Sequence, residues 1–432
     1  MIYLDYNATS PLLPSVRAAM DVISGEALNP SSVHAGGRKA KKLLEDARSN
    51  IAAAFGAFAN EVLFTGSGSE ANNMVLRGFA GNRPLLVAAT EHASITKTAS
   101  LLGASTLPVD EHGLLKLDIL EAQLKALGKP ALVSVMLANN ETGVIQPIAE
   151  IARIAHAHGA LLHVDAVQAL GKITIDWGLL GADMLTLCAH KCGGPVGVGA
   201  LLIRNDLPIN PLITGGGQEL GRRAGTENIT AIVGFAQLVK DVASAPQAAE
   251  WLKWRTELEE KLKAAVPDAV VFGADGDSGA PLPSGEAELL NEQLEFRNSG
   301  EGTSPHDSAC PHPDLAPNAK GVWANPTSPD GRGCSVAPHH RLPQTICISM
   351  PNVKSETQLM NFDLGGFAVS AGSACSSGRI TPSHVLLSMG VAPAVAETAI
   401  RISWGWGTTY YEIRVFIDAW KQMAERLSKK VA

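Results

Sequence analysis

Short apolar runs alternate with amphipathic stretches over the first 250 residues, and this alternation sets the expected fold. Apolar runs at 61–65, 85–89, 131–137, 161–164 and 184–188 predict strands. Between them, residues 36–56 place Ala40, Leu43, Leu44, Ala47, Ile51 and Phe55 on one helical face, and 69–79 and 148–158 read as further helices. A shorter helix is expected within 11–24, after Pro11 and Pro14. Strands that are apolar throughout are covered on both faces. The pattern therefore predicts an α/β fold with a mostly parallel central sheet, helices on both faces, and a smaller α+β domain.

The character changes after about residue 250. Residues 252–265 predict a helix, 345–350, 367–370 and 399–403 predict strands, and 410–427 predicts a terminal helix with Ile413, Phe416, Ile417, Trp420 and Leu427 on its apolar side. Residues 274–338 are rich in Gly, Pro, Ser, Asp and His. They show no sustained period beyond a helical turn or two near 286–294, and read as a largely irregular insertion. The expected domains are a large ligand-binding domain at 16–250 and a smaller one made of 1–15 and 251–432.

Composition narrows the function classes. With 432 residues, 46% hydrophobic and 18% charged, the chain suits a folded globular protein. A net charge of -7 argues against nucleic acid as a partner. No basic stretch followed by an apolar one opens the sequence, and no apolar run approaches the ~20 residues needed to cross a bilayer. Six cysteines in so long a chain form no disulfide framework. A cytoplasmic protein with no membrane partner is expected.

Polar residues collect at the ends of the predicted strands, where ligands sit in open α/β sheets. Thr65-Gly66-Ser67-Gly68-Ser69-Glu70 joins a strand to a helix. The amides around Gly68 and the hydroxyl of Ser69 could hold a phosphate, or Ser69 could merely cap the helix. Asp165 ends the strand 161–164, with Gln168 three residues on. It could face a pyridine nitrogen and keep it protonated, or serve as a cap or surface acid. His190-Lys191 follows the strand 184–188. A lysine there is costly to bury unless paired or bound covalently as an imine, though a solvent-facing lysine in a glycine loop is the competing reading. His92, after Glu91, could stack on a planar ring and pass protons, or be a structural histidine.

Cys375 stands apart from the other cysteines. It lies in Ser373-Ala374-Cys375-Ser376-Ser377-Gly378 among small residues, where a thiol is expected to be exposed and nucleophilic, or else inert in a turn. Cys188 and Cys192 bracket Lys191 and read as packing or phosphate-side residues, and Cys347 reads as core. Cys310 and Cys334 lie in the insertion near His306, His312, His339 and His340. Their spacing matches no compact ligand pattern, and no metal is expected.

Taken together, these segments are recognisable. Tyr3-Leu4-Asp5-Tyr6-Asn7-Ala8-Thr9, Asn29-Pro30-Ser31-Ser32-Val33-His34, Gly68-Ser69-Glu70-Ala71-Asn72-Asn73, Glu91-His92 and Asn139-Asn140-Glu141-Thr142-Gly143 lead the series. His163-Val164-Asp165-Ala166-Val167-Gln168, Ala189-His190-Lys191, Arg223-Ala224-Gly225-Thr226-Glu227-Asn228 and the turn around Cys375 complete it. In this order, over nearly the whole chain except the insertion, the sequence resembles the cysteine desulfurases of the class V aminotransferase superfamily, the group that supplies sulfur for iron–sulfur clusters.

The resemblance implies a fold-type-I transferase using pyridoxal 5'-phosphate (PLP), with L-cysteine as substrate and a persulfide formed on Cys375. It implies that Lys191 holds the cofactor as an imine, Asp165 pairs with the pyridine nitrogen, and Gln168 and Asn140 lie near the ring's 3'-oxygen. His92 stacks on the ring, while Gly68, Ser69 and His190 hold phosphate. Thr226 reaches the cofactor of a neighbouring subunit, so a homodimer is implied. Arg401, with Asn140, grips the substrate carboxylate. A sulfur-acceptor or iron–sulfur scaffold protein is the implied partner. The stretch after Cys375 resembles the longer catalytic loop of the iron–sulfur and nitrogenase-associated branch. Two features depart from the family pattern. Cys188 stands where a serine usually helps the phosphate, and the insertion has no counterpart. The competing functions are a selenocysteine lyase or aminotransferase of the same fold, or a non-catalytic sulfur carrier or scaffold.

Overall fold

The apolar runs build a seven-stranded sheet in the computed structural model, which describes residues 1–274, 341–372 and 381–431. The described residues belong to one compact unit comprising Met1–Ala274 and His339–Ala432. Cys375 and its neighbours 373–380, and residues 275–340 with Cys310, Cys334, His306, His312, His339 and His340, lie outside the described residues.

In chain order the strands are β1 (Ile2–Tyr3), β2 (Val62–Thr65), β3 (Leu85–Ala88), β4 (Ser105–Leu107), β5 (Leu132–Met136), β6 (Leu161–Asp165), β7 (Met184–Cys188), β8 (Gly199–Ile203), β9 (Thr345–Ser349), β10 (Phe367–Ala368) and β11 (Ala399–Ser403). The helices before the insertion are α1 (Pro14–Asp21), α2 (Ala35–Phe55), α3 (Gly68–Ala80), α4 (Ala93–Leu101), α5 (Leu117–Leu127), α6 (Ile148–Ala157), α7 (Trp177–Leu180), α8 (Ile229–Val242) and α9 (Ala248–Ala265). The large sheet runs β2-β8-β7-β6-β5-β3-β4. Only β8 is antiparallel to its neighbours, β2 and β7; the remaining pairs are parallel. The expected mostly parallel sheet is present, with β4 and β8 added to the strands read from sequence.

Both faces of this sheet are buried, and alternation along each strand sorts side chains between them. In β3, Leu86 and Ala88 join a core cluster with α2, α6 and α8, whereas Leu85 and Val87 face the opposite cluster with α3 and α4. The same division separates Ala200 and Leu202 from Leu201 and Ile203 in β8. Three polar side chains interrupt this apolar interior. Ser134, His163 and Thr186 are completely buried on adjacent strands, and the His163 ring lies 2.9 Å from Ser134 Oγ and 3.0 Å from Thr186 Oγ1. Burial lowers the His163 pKa to about 3, so the ring is neutral and satisfies both hydroxyls.

After the insertion, β9 pairs antiparallel with β11, and β1 pairs parallel with β10. Their apolar side chains join Trp251 and Leu258 of α9 and Phe416 and Trp420 of the terminal helix Tyr410–Val431 in a separate hydrophobic cluster. The amino-terminal segment thus pairs with strands more than 360 residues away in sequence, as shown by Tyr6 N donating to Ser403 O and Ser370 Oγ to Asp5 Oδ1.

Candidate active site

Strand polarity decides where the polar residues meet. Because β8 alone is reversed, β2, β3, β5, β6 and β7 end on the same edge of the sheet. That edge receives Gly66–Ser69 after β2, Glu91 and His92 after β3, Asn139–Glu141 after β5, Asp165 at the end of β6, and His190 and Lys191 after β7.

Asp165 is 5% exposed and held from two sides. Its Oδ2 accepts from Asn72 Nδ2 at 2.7 Å, and its Oδ1 from the Val167 amide at 3.0 Å. Asn72 lies on α3 and also donates to Ser94 Oγ at 2.9 Å. Ser94 in turn contacts His92, whose Nδ1 accepts from the Ser94 amide at 3.1 Å and caps α4. An amide N–H can only donate, so Nδ1 is the acceptor and the neutral ring carries its proton on Nε2. Burial lowers the His92 pKa. The Asp165 charge opposes that shift, while Lys191 and His384 reinforce it. The sequence signalled Asn72 only as part of a motif, and its hold on Asp165 needed the fold to bring α3 against β6.

Glu91, beside His92, is completely buried, and its Oε1 accepts from the Met136 amide at 2.5 Å. Burial and the nearby Asp165 charge raise its pKa well above the usual carboxyl range, opposed by the Met136 amide.

Lys191 is half-buried, and its Nζ donates to the main-chain oxygens of Asn7 at 2.9 Å and Ala8 at 2.8 Å. Gln168 Nε2 donates to the same Asn7 oxygen at 2.9 Å. The Asn7 side chain donates to Asn140 O at 3.1 Å and to Thr345 Oγ1 at 2.9 Å. The amino-terminal segment therefore forms a wall of the site, although sequence reading gave it only a motif.

Arg401 rises from β11 and is 4% exposed. It donates to Asn140 O at 2.9 Å and to Asp5 Oδ1 at 2.7 Å. Arg401 and Asn140 are thus brought together, through the Asn140 main-chain carbonyl.

At the start of α3, Ser67 is the cap: its hydroxyl accepts from the Glu70 amide at 3.1 Å. The capping alternative for Ser69 is thereby replaced. Ser69 sits exposed in the first helical turn, two residues past that cap. Glu70 is occupied by Arg223, at 2.9 Å, and by the Gly66 amide, at 2.8 Å. Gly68 permits a close approach: a Cβ there would lie 2.9 Å from Val167 Cγ2 and 3.5 Å from Cys188 Cβ. Cys188 is buried, and burial raises its thiol pKa against the opposing pull of the Gly68 and His190 amides. His190 lies 3.2 Å from Thr9 Oγ1, and burial with the Lys191 and Lys172 charges lowers its pKa to about 4. Thr226 is exposed in the 222–228 connection.

Glu141, which sequence reading gave no role, touches residues on both sides of the Cys375 segment. It accepts from the Ser383 hydroxyl, and a Cβ on Gly372 would come 2.0 Å from its Oε2. Burial raises its pKa to about 7, against the lowering effects of Ser383 and Arg401. His384 Nε2 lies 2.9 Å from the Glu91 carbonyl. Among the described residues no group of three or more His, Cys, Asp and Glu could hold a metal, and no helix is long and apolar enough to cross a membrane.

Comparison with known proteins places this geometry. Residues 2–273 match the class-V aminotransferase family. The chain is 34% identical to a protein of Dictyoglomus turgidum named cysteine desulfurase IscS, over 99% of this chain and 95% of that one. It is 33% identical to a cysteine desulfurase of Nostoc sp., over 99% and 94%. Among solved structures, a NifS-like protein from Rickettsia africae superposes with a TM-score of 0.77 at 32% identity, covering 98% of this chain and 99% of the other. With these matches running nearly end to end, the chain belongs to the class-V aminotransferase family and, within it, to the cysteine desulfurases of the IscS and NifS type.

Proposed function

We propose that this protein is a PLP-dependent cysteine desulfurase that converts L-cysteine to L-alanine and leaves the sulfur as a persulfide on Cys375. The observation that carries the reading is the gathering of Lys191, Asp165 and His92 at one sheet edge in a chain of this family. A related structure that shares 26% identity with this chain, with a TM-score of 0.65, is described as SspA in complex with cysteine, which supports the substrate.

The residues present fit the cofactor. Asp165 is anchored by Asn72 and the Val167 amide, which suits a carboxylate that must stay ionised against a ring nitrogen. Gly68 lets the start of α3 pack closely on Val167 and Cys188, which sets the first-turn amides of the helix at the same sheet edge. Ser69 and His190 are the side chains assigned to that phosphate. Bound PLP would supply an electron sink for the substrate's Cα and Cβ.

The chain's own residues divide the remaining work. Lys191 Nζ holds the cofactor and, once released, moves the Cα proton. Arg401 and Asn140 bind the substrate carboxylate. His92 is assigned the proton of the substrate thiol, and with Nδ1 engaged by the Ser94 amide, Nε2 is the ring nitrogen that would exchange it. Cys375 attacks the substrate sulfur as thiolate, the Cβ–S bond breaks, and the carbon fragment leaves as alanine. Thr226, exposed in a single chain, is assigned to a neighbouring subunit's cofactor in a homodimer. The persulfide passes to a sulfur-acceptor or iron–sulfur scaffold protein. Cys188, Cys192 and Cys347 are free thiols, which suits a reducing cytoplasm. The two hydrophobic clusters support subdivision into a cofactor-binding part, 16–250, and a smaller part, 1–15 with 251–432.

The test is incubation of purified protein with L-cysteine, with and without reductant. Alanine and sulfide are quantified, and the persulfide is located by peptide mass. Cys375→Ala should keep a yellow chromophore at about 420 nm that borohydride bleaches, and should release no sulfide. Full sulfide release by that variant, or a 2-oxo acid as product, overturns the assignment.

A further inference from the structure

Lys172 is a second buried amine beside Lys191, and the reaction above gives it no task. It is 4% exposed. Its Nζ lies 2.5 Å from Gln168 Oε1 and 3.1 Å from Asn7 Oδ1. Both neighbours are amide oxygens, which accept, so Lys172 is the donor to each. Burial lowers its pKa to about 7; the charges of Lys191 and Arg401 act in the same direction, and Cys192 opposes them.

The partners of Gln168 settle which end of its amide is which. The Asn7 main-chain oxygen can only accept, so it requires Nε2. That leaves Oε1 facing Lys172, which donates to it. Asn7 is fixed in the same way. Its Nδ2 faces the Asn140 carbonyl, and its Oδ1 faces Lys172. The main-chain carbonyls of Asn7 and Asn140 thus set the polarity of both amides, and one lysine donates to the two oxygens left over.

We propose that Lys172 is a positioning residue that, by donating to Oε1, anchors the Gln168 amide so that Nε2 holds its second N–H toward the cofactor held on Lys191. The inference rests on the PLP-dependent function proposed above. Gln168 Nε2 spends one hydrogen on Asn7 O and keeps a second. Donated to the ring oxygen, that hydrogen stabilises negative charge there. The lysine-linked nitrogen then loses its proton at lower pH. A buried methionine at 172 fills similar volume but removes the donor, leaving Oε1 without its partner and the Gln168 amide held by the Asn7 oxygen alone.

The test is spectrophotometric pH titration of the holoprotein. Lys172→Met should keep the borohydride-reducible chromophore and move its titration midpoint up by about half a pH unit or more, a change of roughly threefold in proton affinity. Gln168→Leu should move it in the same direction, and the double variant should move it no further than Gln168→Leu alone. Lys172→Gln, which keeps an N–H donor, should fall between native and Lys172→Met; it is the comparison to use if the methionine variant does not fold. A native midpoint in Lys172→Met, or in Gln168→Leu, overturns the inference, as does a double variant whose shift is the sum of the two. The absence of any reducible chromophore from native holoprotein would instead sink the functional reading on which this one stands.

Discussion

Arg401 Nη2 donates to Asp5 Oδ1 at 2.7 Å, a contact between residues 396 apart in sequence. The acid is shared: Ser370 Oγ donates to the same oxygen at 2.8 Å. A buried arginine needs a counter-charge, and Asp5 supplies it while fixing the plane of the guanidinium. Asp5→Asn keeps the shape and removes the charge. We expect the KM for L-cysteine to rise about tenfold with kcat little changed, as for loss of one charge-assisted hydrogen bond. Steady-state alanine formation measures both constants, and an unchanged KM means Arg401 is oriented without Asp5.

Asn72 holds Asp165 by a 2.7 Å hydrogen bond made inside the protein. Its removal leaves the carboxylate one donor short, worth about 1.5–3 kcal/mol for a bond to a charged group. Asn72→Ala should reduce desulfuration roughly tenfold or more while the protein stays folded by circular dichroism. Native turnover in this variant would show that Asp165 needs no support from α3.

Glu141 makes stability depend on pH in a defined direction. Burial raises its folded pKa to about 7, above that of an unfolded glutamate. Its contribution is therefore fully present below the unfolded pKa and is lost as pH rises through about 7. Glu141→Gln cannot ionise. The unfolding free energy of this variant, measured by thermal melts at each pH, should gain on the native protein between pH 5 and pH 8, by a margin on the order of 1–3 kcal/mol at the upper end. A constant difference across that range would show that Glu141 is ionised throughout.

The central strands were legible because β5, β6 and β7 are apolar runs bounded by polar turns, and a strand covered on both faces must be so. Asp165, Lys191 and His92 were legible for a related reason: each follows such a run, and the end of a buried strand is a costly place for a charge. α8 was not legible. Ile229, Ile232, Phe235, Leu238 and Val239 are buried along it, so its polar stripe is too narrow to mark a period. β8 was hidden behind the glycines that precede it, and β4 has only three residues.

The amino-acid sequence by itself determined the layers of the sheet, the residues at the strand ends and the family, because each depends on local pattern or on ordered motifs. Only the tertiary structure decided what those residues touch. Asp5 meets Arg401, Asn72 meets Asp165, and Lys172 meets Asn7, across separations of 396, 93 and 165 residues. No local periodicity encodes such pairs. They exist because the reversed strand β8 and the return of the amino-terminal segment bring distant backbone to one edge, where buried polar groups must satisfy one another.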